Sequence, residues 1–577
     1  MLVPGTLSTA FLLSTASVAA GFSGFPGLRT AEKNGRTHAR HWRIREPSVC
    51  ARGIRTRGGG VAPSDAVGPG SPAWPPRAVA IEEVDTESTE ASLPEGWGGG
   101  GQDDDISYSR MLKFILPTLG IWLASPIMSL VDAGVVGTRS ALELASLGPA
   151  TVLCESLIYC STFLAIATTN LQATALADQK RAEAQKVVAQ ALGLALTIGL
   201  AVAVCVQLLG PRVLVYLAGE KSKEVIPAAL TYSRVRILGA PASIAAMVLQ
   251  AACLGARDSV TPLGVVIVAS AVNAGGDWLT VCRLNMGVFG AGAATSCAEF
   301  VSMMLLGAAV WRAQGKRLYR FVALPSWQEL KVFLNFAGPI AFALLGKVVC
   351  YSVMTLTVTG IGTIPLATHN VMLRVFFFFA TFGEALSQTA QAFIPGQLAK
   401  ERSVRAAEAA ATFVGDGAGT AGAGEKELSN PRHRPSRTMM RKVLMLGVVV
   451  GSLNACVAGL VPLRVPHFFT NSVPVTEGMR SLVPLLSWSL LTHACVMGLE
   501  GILLARRRLK FLAGCYATNT IVLVGFMQWV KTWPATRGLH GAWLGLLLLQ
   551  LLRVAEFGAH LLWLNRHERV NGQIKAA

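Results

Sequence analysis

Twelve apolar runs of about 20 residues or more, separated by short polar breaks, recur between Arg110 and Arg566. They lie near 111–136, 144–176, 187–209, 235–256, 260–282, 288–311, 332–359, 364–395, 443–463, 481–505, 511–530 and 538–563. At 1.5 Å per residue, each can cross a hydrocarbon core about 30 Å thick. Lipid offers no partner to a free backbone N–H or C=O, so such runs must close their hydrogen bonds internally as helices. The expected fold is therefore an all-α polytopic membrane protein with twelve transmembrane helices. A chain that is 52% hydrophobic and only 15% charged, with mean hydropathy +0.48, is excluded from the soluble globular class.

The net charge of +18 would suit a nucleic-acid partner if the basic residues formed a patch. They lie instead in an N-terminal segment and between apolar runs, so no nucleic acid is expected and the lipid bilayer is the first partner. The eleven Cys are scattered through apolar segments without a CxxC pair. They are expected to pack as small apolar residues, with no disulfide, metal or cofactor.

The first 109 residues have a different character. Residues 1–21 hold a short apolar stretch, Phe11 to Ala20, of signal-peptide shape. From Phe22 to Arg77 ten Lys or Arg stand against three acids, the composition of a transit peptide, which the segment 22–80 is expected to be. Residues 81–109 begin with nine acids and no base up to Asp105 and are expected to form a disordered spacer. Signal followed by transit segment suits delivery to a plastid envelope; a plain secretory leader, with the plasma membrane or an endomembrane as destination, is the alternative.

Alternate connections carry the Lys and Arg: Lys180, Arg181, Lys186, Arg257, Arg312, Lys331, a long basic insert at about 402–437, and Arg506, Arg507, Arg508 and Lys510. Both chain ends are therefore expected on the basic side. The chain also repeats itself. Leu112-Lys113 matches Leu330-Lys331 at an offset of 218; Met247 to Arg257 matches Met497 to Arg507 at 250; and Gly287 to Ala291 matches Gly538 to Ala542 at 251. The offset grows by roughly the length of the insert. Two six-helix lobes in parallel repeat, at 110–325 and 326–566, account for this, with a short tail at 567–577. Such architecture places a substrate site near the bilayer midplane between the lobes.

Polar groups inside the runs carry the chemistry. Asn273 and Asp277 are four residues apart and share one helix face. An acidic side chain at mid-span costs roughly 2.5–3.5 kcal/mol on insertion scales, so it calls for a partner and a use. Asp132 is the only charge between Lys113 and Arg139 in the first run, and Thr295 in the sixth run adds a hydroxyl. If helices one and five pack together, these four residues form an all-oxygen site for a hard cation. Two neighbouring carboxylates in low dielectric repel, so H+ and Na+ would compete for one place.

These residues resemble those of the multidrug and toxic compound extrusion (MATE) transporters over about Arg110 to Arg566. The Val131-Asp132-Ala133 step before Gly137, Asn273-Ala-Gly-Gly-Asp277 and Gly290-Ala-Gly-Ala-Ala-Thr295 carry the likeness. The resemblance implies that Asp132, Asn273, Asp277 and Thr295 form a cation- or proton-binding site in the N-terminal lobe. Leu147-Gly-Pro-Ala-Thr-Val, Ile166-Ala-Thr-Thr-Asn170, Leu254-Gly-Ala-Arg-Asp258-Ser and Gly383-Glu384-Ala-Leu-Ser-Gln388-Thr-Ala-Gln391 look like the plant plastid-envelope branch of that family. One departure stands out. Another, bacterial branch has a Glu eight residues after a helix-seven Pro, whereas here Pro339 is followed by Lys347, so no second cation site carries over.

A mid-span amine attracts an anion or pairs with a carboxylate such as Glu384 or Glu155. The tentative substrate-cavity residues are Lys347, Glu384, Gln388 and Glu155; a structural ion pair or a snorkelling lysine remains the other reading of Lys347. Arg553 and Glu556 are expected to neutralise each other, Phe376 to Phe379 to face lipid, and His369, His493 and His540 to be packing or interfacial residues. Gly239, Gly255, Gly264, Gly290 and Gly292 are expected to permit close helix approach. No nucleophile–base set or phosphate loop suggests an enzyme. The expected function is monomeric secondary active antiport: export of a small organic solute, an aromatic carboxylate among the options, in exchange for H+ or Na+. A lipid or polyprenyl-carrier flippase and a passive facilitator or channel are the alternatives.

Overall fold

The computed structural model describes residues 106–138, 140–218, 224–314, 323–324, 326–414, 435–469, 472–532 and 534–574. The signal-like and transit-like segments, the acidic spacer as far as Asp105, and residues 415–434 of the insert lie outside the described residues. Twelve helices are long and apolar enough to cross a membrane. In chain order these spans are Tyr108–Gly137, Leu142–Ala177, Arg181–Val215, Ile226–Gly255, Val260–Arg283, Gly287–Ala313, Phe333–Thr359, Thr363–Ala406, Pro435–Arg464, Val483–Ala505, Leu509–Val530 and Arg537–His567. They are numbered 1 to 12 below. Each coincides with one of the expected runs, because apolar length is a local property that sets both.

The limits of the spans have local causes. Ser107 accepts from the Arg110 N–H and Ser140 from the Glu143 N–H, capping the helices that follow. Span 2 is two helices, Ala141–Cys160 and Thr162–Ala177, broken at Ser161. Arg257 and Arg507 turn the chain between spans 4 and 5 and between spans 10 and 11, with φ of 65° and 57°. These two turns are one repeat apart. The helix of span 8 continues to Val414, into the stretch expected to be an insert, and the next helix starts at Pro435. Ala406 to Ala411 carries good helix formers, which explains the overrun. The last helix likewise runs on to Ile574, through most of the expected tail.

Both halves use the same pairings. Span 1 packs on 5, 5 on 6, 4 on 6, 3 on 4 and 2 on 4; their counterparts pair as 7 on 11, 11 on 12, 10 on 12, 9 on 10 and 8 on 10. Between the halves, span 8 packs on spans 1 and 2, and span 7 on span 2. The polar contacts joining them include Arg402 to Asp178 at 2.9 Å, Lys442 Nζ donating to the Ile106 carbonyl at 2.9 Å, and Asn170 Nδ2 donating to Gln391 Oε1 at 2.7 Å. Arg257 Nε donates to the Ala392 carbonyl at 3.3 Å, and its guanidinium lies 5.0 Å from the centre of the Phe393 ring. All of these lie toward the basic face, where the halves are closed on each other.

Candidate functional site

Asn273 joins spans 1 and 5. Its Nδ2 donates to Asp132 Oδ1 at 2.7 Å and to Asp277 Oδ2 at 3.3 Å, so one amide bridges the two carboxyl groups. Asn273 and Asp277 are buried and Asp132 half-buried. Two oxygens, Asn273 Oδ1 and Asp277 Oδ1, are buried without a hydrogen-bond partner. Paired carboxylates with spare inward-facing oxygens can take a proton or a small hard cation. Among the described residues, no group of three or more His, Cys, Asp or Glu gathers to hold a metal.

Local structure brings the site together. A Cβ at Gly276 would stand 2.8 Å from the Ala294 Cβ, so the absence of a side chain there lets span 6 close on span 5 beside Asp277. The helix then widens into a π turn over Trp278–Arg283, with the Leu284 N–H donating to the Leu279 carbonyl. Such widened turns interrupt the α ladder and are frequent at functional sites. Thr295 is not joined to the carboxylates: its hydroxyl donates to the Ala291 carbonyl of its own helix at 2.9 Å. A helical hydroxyl readily takes the carbonyl one turn back, which diverts this donor but leaves its lone pairs to accept.

In the second lobe Lys347 has a different partner from either expected one. Its Nζ is 2.8 Å from Glu500 Oε1 of span 10, and the Tyr516 hydroxyl of span 11 donates to Glu500 Oε2 at 2.6 Å. Glu384 is half-buried within the electrostatic reach of Lys347. Glu155 is held elsewhere, by Arg236 at 3.1 Å, and Glu299 sits 2.8 Å from the same guanidinium. Of the four tentative cavity residues, two are thus committed to other ion pairs. Gln388 is buried with its Oε1 unpartnered. Tyr159 of span 2, 44% exposed, lies within the electrostatic reach of Lys347 and Glu384 across the lobes.

The first lobe matches the MatE family model over residues 117–279. Protein DETOXIFICATION 47, chloroplastic, of Arabidopsis thaliana is 32% identical over 453 residues, covering 78% of this chain and 77% of that protein. The chain belongs to the MATE transporter family. Protein DETOXIFICATION 44, chloroplastic, of the same plant is 25% identical and covers 77% of this chain and 80% of its own. Among solved structures, one titled as the outward-facing conformation of a multidrug resistance MATE family transporter superposes with a TM-score of 0.63 at 17% identity. It covers 80% of this chain and 96% of its own.

Several features of this MATE chain escaped the sequence. Glu500 is the only acid in span 10 and stands one repeat from Gln250, a signal that was available. The Arg236–Glu155–Glu299 cluster joins spans 4, 2 and 6, and only Glu299, the one acid in its span, was conspicuous. Arg553 does not neutralise Glu556: it lies 4.6 Å from the centre of the Tyr516 ring, while Glu556 accepts from Asn519 Nδ2 at 2.8 Å. Tertiary neighbours nearer than a three-residue helix step took both partners. The Phe376–Phe379 run is not one lipid-facing patch. Phe376 and Phe379 are buried and Phe377 and Phe378 exposed, as the helical step of 100° requires of four consecutive residues. His369 meets Thr355 and His493 meets Gln550 in the interior.

Proposed function

We propose that this MATE transporter is a secondary active antiporter that exports a small organic solute across a plastid-envelope membrane, driven by inward exchange of H+ or Na+ at Asp132, Asn273 and Asp277. The observation that carries this reading is the Asn273 amide bridging Asp132 and Asp277, with two buried oxygens left over. Two carboxylates so placed are compatible only with a shared proton or an intervening cation, so the pair senses whether an ion is present. Asn273 lies about 20 Å along its helix from the basic end, in the outer half of the span. With the lobes closed at the basic face, the ion would arrive from the opposite side.

Pro126 lies inside span 1, six residues before Asp132, and removes a ladder hydrogen bond there. Neutralising the carboxylate pair would let span 1 repack about this point, and coupling follows if the two arrangements bind the ion with different affinity. Thr295 would complete the ion's shell through its hydroxyl lone pairs. The plastid location rests on the chloroplastic names of the Arabidopsis relatives and on the acid-poor leader composition.

Glu384 and Gln388, with Tyr159 facing them, are the groups proposed to meet the solute. An organic carboxylate would have to displace Glu500 from Lys347, since that amine is already balanced; a neutral or cationic solute needs no such exchange. The test is flux in proteoliposomes under imposed pH or sodium gradients. Asp277→Asn should abolish gradient-driven export. Undiminished coupling in that variant would remove the site from the mechanism, and flux indifferent to any gradient in the unmodified chain would make it a facilitator.

A further inference from the structure

A cavity lies at the basic end of the second lobe, away from the site above. It measures about 450 Å³ and is formed where span 7, the turn between spans 10 and 11, and span 12 meet. Arg507, Arg508, Lys510 and His560 line it, with Phe336 and Phe511 in its walls, and no acidic residue among the lining groups. The Arg507 guanidinium stands 5.9 Å from the Phe336 ring centre. His560 is stacked on Phe511 at 3.8 Å, and its Nε2 has no hydrogen-bond partner. The nearest carboxylates felt by Arg507, Asp178 and Glu183, are already engaged by Arg402 and Lys180.

We infer that this pocket binds the phosphate-bearing headgroup of an anionic membrane lipid on the basic face. Three cations around a concave, aromatic-walled space give several charge-assisted donors to one phosphodiester, and basic pockets between helices on this side of a membrane suit such headgroups. A lipid is favoured over a soluble anion by what adjoins the pocket. Trp563, half exposed and stacked near His560, marks the interfacial level. The site is independent of the transported solute and of the coupling ion.

The test is native mass spectrometry of the full chain in detergent with added phosphatidylglycerol or phosphatidylcholine. The unmodified chain should retain phosphatidylglycerol and not phosphatidylcholine, and excess inorganic phosphate should not displace it. Arg508→Gln with Lys510→Gln should weaken retention roughly thirtyfold. The charge-matched pair Arg312→Gln with Arg441→Gln should leave retention unchanged. Equal retention of the two lipids, or displacement by phosphate, overturns the inference on the unmodified chain alone. Equal loss in the two double variants overturns it as well, since the effect would then be net charge.

Discussion

At the scale of single residues, the two lobes have handled buried charge in opposite ways. In the first, two carboxyl groups are bridged by one amide; in the second, Lys347 and Glu500 cancel, with Tyr516 satisfying the carboxylate's other oxygen. Breaking a buried pair leaves one uncompensated charge, whereas removing both members can be nearly neutral. Lys347→Met should therefore destabilise the protein by about 3–5 kcal/mol, and adding Glu500→Leu should recover most of that loss. Thermal unfolding in detergent measures both. A double variant no more stable than Lys347→Met would show that the pair contributes nothing as a pair. The Asp277→Asn exchange tested above is of another kind: it removes repulsion at the first site, so transport coupling should be lost while the melting temperature holds or rises.

At the scale of helices, small residues decide where backbones meet, and they do not all act alike. A Cβ at Gly501 in span 10 would stand 2.7 Å from both the Cα and the carbonyl oxygen of Ser387 in span 8, atoms that cannot step aside. Gly501→Ala should cost about 1–3 kcal/mol through forced separation of the two helices. Gly264 was expected to serve the same purpose, but no atom lies within 4 Å of its would-be Cβ. Gly264→Ala should instead stabilise by about 0.5–1 kcal/mol, by restricting the unfolded chain and favouring the helix. Melting curves of the two variants should move in opposite directions; a common direction would mean that packing does not separate them. The helical step also explains why a run of four Phe could not stay on one face.

At the scale of the molecule, closure on the basic face has few polar contacts: Arg257 against Ala392 and Phe393, Arg402 with Asp178, Lys442 with the Ile106 carbonyl, and Asn170 with Gln391. The repeat puts Arg507, the counterpart of Arg257, on the other side of the same closure, within the electrostatic reach of Asp178. Arg257→Ala with Arg402→Gln should shift the population toward a form open at this face. Spin labels at Lys180 and Arg405 should then report a longer distance distribution by pulsed electron resonance. An unchanged distribution would mean that apolar packing between spans 1, 2 and 8 holds the closure by itself.

What the sequence determined alone was everything set by the bilayer acting on a local stretch: twelve spans, the parallel duplication, and the shared face of Asn273 and Asp277. Hydrocarbon thickness and the need to satisfy each backbone group leave a twenty-residue apolar run little choice. The meeting of Asp132 with that pair required only that helices one and five pack together. Only the tertiary structure decided which partner each buried charge takes and at which face the lobes close. Lys347 chose a carboxylate 153 residues away over the ones expected, and Glu155 chose Arg236. In a low dielectric, pairing falls steeply with distance, so a shift of a few ångström between helices reassigns it, and no spacing along the chain records that distance.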